Sequence, residues 1–483
     1  MSNHRRFRLR WLLRHGGTEQ LCLRVTINDL PDEALLEIFG FHMAHPLPPP
    51  SYEDAWHTLV HVCRRWRYLV FGSPCSLDLR LACVNRRLVK TLDIWPELPI
   101  VLRVHYGKMV QPPSVTDVIS VFQQRDRVCK ISIDDGPNSL LREVATMTEP
   151  FPELIELELS SSEAPILPDS FLGGSVPRLQ SLTLWGIPFP AIGKLLLSTR
   201  DLVTLSLGFI PPSGYISPEP MVAILSELTR LTSLYLCSFE SPQFWTHRAS
   251  QRPPALTRVV LPALTTFHYS INSKYLEDMV SQIDAPLESI DVTLFDQPVF
   301  DIPLLRDFIG RTKILDAPHR VDACFSIGNA KITLFQRKED IDFKVLDLVI
   351  FYSTHDPHPS SLAQSCSSFL PLLPTLEHLG ISGYLPSGGQ DVEANQWMEL
   401  LRPFITVEAL VLDESAVFSV APALQELVGE RVMEVLPALQ TIFLEGFQSW
   451  IPIPEGIGKF IAARELSGRP VIVRHRERKQ QPF

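Results

Sequence analysis

The sequence predicts an α/β chain. A short helical module near the N-terminus is followed by an irregular solenoid, with parallel strands on its concave side and helices on its convex side. Three observations carry this. Residues Ile27 to Pro74 hold two stretches with helical spacing of apolar residues. From Leu154 onward one pattern, apolar-x-x-apolar-x-apolar, keeps returning. Between the returns lie further stretches of helical period.

The first helical stretch opens at Pro31, a residue pre-shaped for the first helical position, with Asp32 and Glu33 favourable to the N-terminal dipole. Leu35, Ile38 and Phe39, continuing to His42, form its apolar face. A proline-rich loop runs from His42 to Pro50. The second stretch opens on Ser51-Tyr-Glu-Asp54, a capping-box pattern. Its stripe is Ala55, Leu59, Val62, Cys63, Trp66 and Val70, which reads as one helix ended by Gly72 and Pro74. Arg64, Arg65 and Arg67 fall off that stripe.

Leu30-Pro31-Asp32-Glu33, then Ile38-Phe39, then Val62-Cys63-Arg64-Arg65-Trp66-Arg67 resembles an F-box, the adaptor-binding module of SCF ubiquitin ligases. The continuation through Ser73-Pro74, Leu79, Leu81, Thr91-Leu-Asp-Ile-Trp-Pro96 and Leu98-Pro99 is similar to a large fungal group of F-box proteins. The loop from His42 to Pro50 is longer and richer in proline than the family's usual turn. The resemblance implies a Skp-type adaptor as partner, and through it a cullin. It also implies that Leu30, Pro31, Ile38, Phe39, Val62, Cys63 and Trp66 form or support the adaptor interface. Without the resemblance, the same residues read as a helical hairpin that packs its stripe on its own chain.

The repeat anchors are Leu154/Leu157/Leu159, Leu179/Leu182/Leu184, Leu202/Leu205/Leu207 and Leu231/Leu234/Leu236. Less pure returns follow at Leu264/Phe267/Tyr269 and Leu287/Ile290/Val292, then at Val345/Leu348/Ile350, Leu376/Leu379/Ile381, Val407/Leu410/Leu412 and Leu439/Ile442/Leu444. One step, from Leu287 to Val345, is twice the usual length. A degenerate repeat around Ala317 to Phe325 is expected to fill it. Helical spacing falls at Leu276/Met279/Val280/Ile283, Trp397/Leu400/Leu401/Phe404 and Leu424/Leu427/Val428. A strand, a turn and a helix per repeat resembles the leucine-rich repeat. The consensus asparagine after the last anchor is met only by Asn272, so apolar packing is expected to replace the asparagine ladder. A doubly wound α/β domain would give the same alternation of strand and helix.

The expected layout is a basic extension over 1–24, an F-box over 25–75, a linker and solenoid cap over 76–150, repeats over 151–470 and a basic tail over 471–483. The cap's first strands are Leu98 to Val104 and Val128 to Ile133. The extension carries six arginines, Arg5, Arg6, Arg8, Arg10, Arg14 and Arg24, against Glu19. The rest of the chain is therefore more acidic than the whole, whose net charge is −10. That balance argues against nucleic acid as the main partner. None of the 8 cysteines forms a C-x-x-C pair, and no apolar run is long enough to span a membrane. Reduced thiols, with no signal peptide, fit a cytoplasmic or nuclear protein.

Catalytic signatures are missing: there is no nucleophile elbow, Walker A, dinucleotide fingerprint or H-E-x-x-H. His57 and His61 share a helical face near His42 and His45, but no acid or cysteine pair completes a zinc set. Cys63 reads as a small buried hydrophobe. No cofactor and no enzymatic activity are expected. The expected function is a substrate receptor that binds an unidentified target protein through the repeats. The other reading is a leucine-rich-repeat scaffold or inhibitor with no ubiquitin role. Residues flanking each middle anchor should face outward. They run from Glu156/Glu158 through Ser181/Thr183, Thr204/Ser206, Ser233/Tyr235, Thr266/His268 and Ser289/Asp291 to Asp347/Val349, His378/Gly380, Ala409/Val411 and Thr441/Phe443. None is Lys or Arg, which predicts an unphosphorylated, neutral or mildly basic target segment anchored on Tyr235, Val411 and Phe443.

Overall fold

The structure is a computed structural model. It describes residues 26–44, 55–83, 89, 92–106, 112–163, 165–237, 258–271, 273–295, 302–312, 318–326, 329–339, 341–351, 376–383, 394–446 and 452–476. The basic extension, the proline-rich loop from residue 45, the Ser51–Asp54 capping box and Asn272 lie outside the described residues. The chain divides into two compact units, Met1–Leu81 and Ala82–Phe483.

The first unit is helical: α1 spans Asp32–Ala44, α2 Ala55–Val60 and α3 Arg64–Gly72. The single second helix expected from the spacing is thus two. The break lies at Cys63, whose backbone is extended (φ −157°) and whose thiol accepts the amide of Trp66 as a helix cap. A thiol is an unusual cap, and the apolar spacing runs on through it, so the break carries no ordinary signal. The core takes Leu35, Phe39 and Met43 from α1, Trp56, Leu59 and Val60 from α2, and Leu69 and Val70 from α3.

The second unit is a mixed α/β body built on one large open sheet. Its strands are β1 (Leu81–Cys83), β2 (Ile100–His105), β3 (Val128–Asp134), β4 (Glu156–Ser160), β5 (Ser181–Trp185), β6 (Thr204–Gly208) and β7 (Ser233–Cys237). A two-stranded side sheet is formed by β8 (Val259–Val260) and β10 (Ile283–Asp284). The main sheet continues with β9 (Thr266–Ile271), β11 (Ser289–Leu294), β12 (Pro318–Ser326), β13 (Asn329–Lys338) and β14 (Ile341–Phe351). It ends with β15 (His378–Gly383), β16 (Ala409–Asp413), β17 (Thr441–Glu445) and β18 (Ile472–Arg476). The last of these falls within the stretch expected as a basic tail.

Alternation decides the faces. Leu157, Leu182, Leu205, Leu234, Phe267 and Ile290 are each 1% exposed or less, while Thr204 and His378, one residue before their anchors, are half-buried. Helices such as Pro218–Glu227, Ser273–Val280 and Glu414–Gln425 cover the anchor side with their own apolar stripes. Several strands are entered the same way, with one carbonyl accepting two successive amides at the start of the next strand. Ile155 serves Gln180 and Ser181, Gln180 serves Val203 and Thr204, Val203 serves Thr232 and Ser233, and Glu408 serves Gln440 and Thr441. Past the strand ends the main chain continues the ladder, with Ser161 donating to Trp185, Gly186 to Gly208 and Phe209 to Cys237.

Spatial order departs from chain order at one place. The sheet runs β9-β11-β14-β13-β12-β15, so β12, β13 and β14 form an antiparallel meander laid in reverse. From Pro318 onward the expected Ala317–Phe325 segment is strand β12, whose Val321 and Ala323 pair level with Leu379 and Ile381. It sits beyond β14, however, not between β11 and β14. The register there also differs from the anchor spacing: Val292 is level with Leu348, two residues from the expected match. A shift of two preserves the faces.

Candidate functional site

In the helical unit, α1 is apolar on two sides. Leu35, Phe39 and Met43, spaced by four, are buried. Pro31, Ile38 and Phe41 lie on a second stripe at helical spacing and are exposed, Ile38 by 45% and Phe41 by 69%. Val62, in the break between α2 and α3, is 57% exposed, and Tyr68 on α3 is 80% exposed. These are large apolar side chains left in solvent by a small unit.

The seven residues expected at the adaptor interface separate accordingly. Pro31, Ile38 and Val62 reach the surface, and Leu30, Cys63 and Trp66 are half-buried. Phe39 is fully buried, with its ring 4.7 Å from that of Trp66. Phe39 and Trp66 therefore hold the helices together, and Cys63 is a helix cap, not the buried hydrophobe expected.

Sequence spacing passed over the residues that fix this geometry. Arg65 donates through Nη2 to the Leu30 carbonyl at 2.6 Å and through Nε to Asp32 Oδ1 at 3.0 Å. Its fork clamps the start of α1 to the start of α3. Arg67 Nε donates to the Val60 carbonyl at 3.0 Å, bridging the break between α2 and α3. Trp56 Nε1 donates to the Arg80 carbonyl at 2.8 Å and so pins the chain that leaves α3. His57 packs its ring 3.9 Å from Trp56, and His61 is exposed. Among the described residues no three His, Cys, Asp or Glu side chains are grouped to hold a metal.

In the sheet unit, Tyr235, Val411 and Phe443 all lie in one register row on the face turned away from the helices. The row passes Tyr235, His268, Asp291, Asp347, Thr333, Asp322, Gly380, Val411 and Phe443, one residue per strand. Val411 and Phe443 are direct neighbours. Seven strand steps separate Val411 from Tyr235, or ~34 Å at the usual strand spacing.

The middle of the row is charged. Asp347, 8% exposed, accepts Lys331 Nζ at 2.9 Å, Lys344 Nζ at 3.2 Å and the Thr333 hydroxyl at 3.0 Å. Lys344 also reaches Asp291 at 3.1 Å. Burial pushes the Asp291 carboxyl up, but the hydrogen bonds and charges of His268 and Lys344 outweigh it and hold the group below its ordinary value. Arg320 pairs with Asp322 at 2.6 Å. The absence of Lys and Arg from the flanking pairs is thus a property of those pairs. The meander brings Arg320, Lys331 and Lys344 to the same face, each engaged with an aspartate.

Compared with known proteins, residues 27–75 match the F-box-like family. That span coincides with the helical unit's described helices. A search of curated proteins found no match to the chain.

Proposed function

We propose that this protein is the substrate-recognition subunit of an SCF-type ubiquitin ligase. The F-box binds a Skp-type adaptor, the adaptor connects to a cullin, and the sheet unit holds the target. The observation that carries this reading is the F-box-like match over residues 27–75, on a unit that exposes Ile38, Phe41 and Val62. Such a module works by burying an apolar surface against its partner. The recurring strand, carbonyl-closed turn and helix of the second unit support a leucine-rich-repeat-like solenoid, an architecture that offers one long face to a protein ligand.

In this reading the chain performs no chemistry. It contributes proximity, raising the effective concentration of target lysines near the charged ubiquitin carrier. The reading places the protein in the cytoplasm or nucleus, where that machinery operates.

The deciding experiment is affinity purification of the full chain and of a Leu30→Ala, Pro31→Ala variant, scored separately for adaptor and for co-purifying target. Adaptor lost with target retained is the expected result. Adaptor absent from both purifications would leave a scaffold or inhibitor without a ubiquitin role.

A further inference from the structure

The strand that closes the sheet lies in a stretch expected as a basic tail, and it changes the end of the row that carries Val411 and Phe443. The helix Glu455–Leu466 stops at Ser467 and Gly468, the latter at φ 74°. Pro470 bars its resumption, and the β-branched run Val471-Ile472-Val473 favours an extended chain. β18 therefore docks in parallel on β17. Ile472 donates its amide to the Gln440 carbonyl at 2.9 Å, and Gly446 donates to the Arg476 carbonyl at 3.0 Å. In this register Ile472 is level with Thr441, Arg474 with Phe443 and Arg476 with Glu445.

The row described above thus gains one more member. Arg474 is on the same face as Phe443 and one strand spacing, ~4.8 Å, from it. Val411, Phe443 and Arg474 are consecutive across three neighbouring strands. Ile472, two residues before Arg474 and 55% exposed, widens the apolar part. Beyond Val411 the row passes Gly380, which has no side chain, to Asp322, whose carboxylate lies over that glycine. This end of the face is therefore an apolar strip of Val411, Phe443 and Ile472 with an arginine on its outer border.

That arginine differs from other cations of the face. Arg320, Lys331 and Lys344 are each held by an aspartate, and Lys130 by Glu156. Arg474 is exposed and forms no ion pair among the described residues. The acids nearest in register do not claim it. Asp413 accepts the Ala416 and Gly383 amides at 2.8 Å each, and Glu445 is level with Arg476. The expected preference for a neutral or mildly basic segment counts only pairs up to β17, and β18 adds the cation those pairs lack. A guanidinium with open donors beside an apolar strip is complementary to a carboxylate carried next to a large apolar side chain.

We propose that Val411, Phe443, Ile472 and Arg474 form the seat for a target segment in which a large apolar residue stands close in sequence to an Asp or Glu. The apolar side chain covers Val411 and Phe443, and the carboxylate meets the Arg474 guanidinium. This rests on the reading of the sheet unit as the target-binding unit. It goes further in naming the residue types and their place.

The test is selection of phage-displayed random twelve-residue peptides, which carry no phosphate, on the purified full chain. Synthetic copies of the winners are then measured by fluorescence anisotropy. The winners should pair a large apolar residue with Asp or Glu, and should bind Phe443→Ser and Arg474→Glu roughly tenfold more weakly or worse. Exchanging the peptide's acid for Lys should weaken binding to the parent and strengthen binding to Arg474→Glu, a reciprocal gain that a misfolded variant cannot produce. Winners without acidic residues, no binders at all, or binding unchanged by Arg474→Glu would overturn the proposal. Winners lost on Arg474→Glu but indifferent to Phe443→Ser would also overturn it, since the carboxylate would then bind without the apolar strip. Adaptor capture, measured on the same preparations, reports on the F-box reading independently.

Discussion

Arg65 and Asp32 join two helices of the F-box-like unit at the point where the sequence leaves its Leu-Pro dipeptide. The guanidinium bridges the Asp32 carboxylate and the Leu30 carbonyl, so one side chain sets where Leu30 and Pro31 stand relative to α3. Arg65→Lys keeps the charge but loses the fork. It should cost only ~1 kcal/mol of stability, because both partners are partly solvated. Adaptor affinity should nonetheless fall several-fold, as read by calorimetric titration. Equal affinity for Arg65→Lys and the parent would show that the clamp does not position the interface.

Exposed and buried members of the expected interface should behave oppositely. Val62→Asp and Ile38→Asp change surface residues, so melting should hold within about 0.5 kcal/mol while adaptor pull-down is lost. Phe39→Ala empties a packed core position and should cost ~3–5 kcal/mol, lowering the melting temperature of this unit.

The helices and the anchor rows were legible because burial imposes a period on the sequence. Leu205 and Leu379 are core residues, as their positions in the pattern require. Two things were not legible, for definite reasons. The break at Cys63 hides behind continuous helical spacing. The reversed meander hides because Val321/Ala323, Ile332/Leu334 and Leu346/Leu348 alternate like any other strands, and alternation says nothing of which strand lies beside which.

The strand register itself can be tested. Leu205→Ala and Leu379→Ala should each cost ~2–5 kcal/mol in chemical denaturation. Thr204→Ala and His378→Ala should stay within about ±0.5 kcal/mol. Similar losses from both kinds would contradict the register.

Two glycines separate backbone need from mere presence. Gly186 has φ 69°, and a Cβ there would collide with the Ser161 carbonyl, so Gly186→Ala should cost more than ~2 kcal/mol. Gly458, within the helix Glu455–Leu466, has open space around it. Gly458→Ala should therefore stabilise by roughly 0.5–1 kcal/mol in the same denaturation assay.

Acid sensitivity follows from the charged middle of the sheet. Asp291 titrates below its ordinary value when folded, so its contribution is present above the unfolded pKa of ~3.9 and is lost as pH falls through the lower folded value. Asp291→Asn should lower the urea midpoint at pH 7 relative to the parent. The gap should close as the pH is taken toward 3. A gap that is constant with pH would assign the loss to packing.

The reversed meander also governs the order in which a nascent chain can complete its sheet. Until residue 351 has been made, β11 has no neighbour on its far side, and its edge stands open through the synthesis of β12 and β13. Strands before that point can be added one upon the last as they emerge. Those after it must dock on β12, which itself waits for β13 and β14 to return. The unit therefore has a seam. An unfinished polypeptide ending between β11 and β14 exposes a naked strand edge, the kind of surface that pairs with other chains.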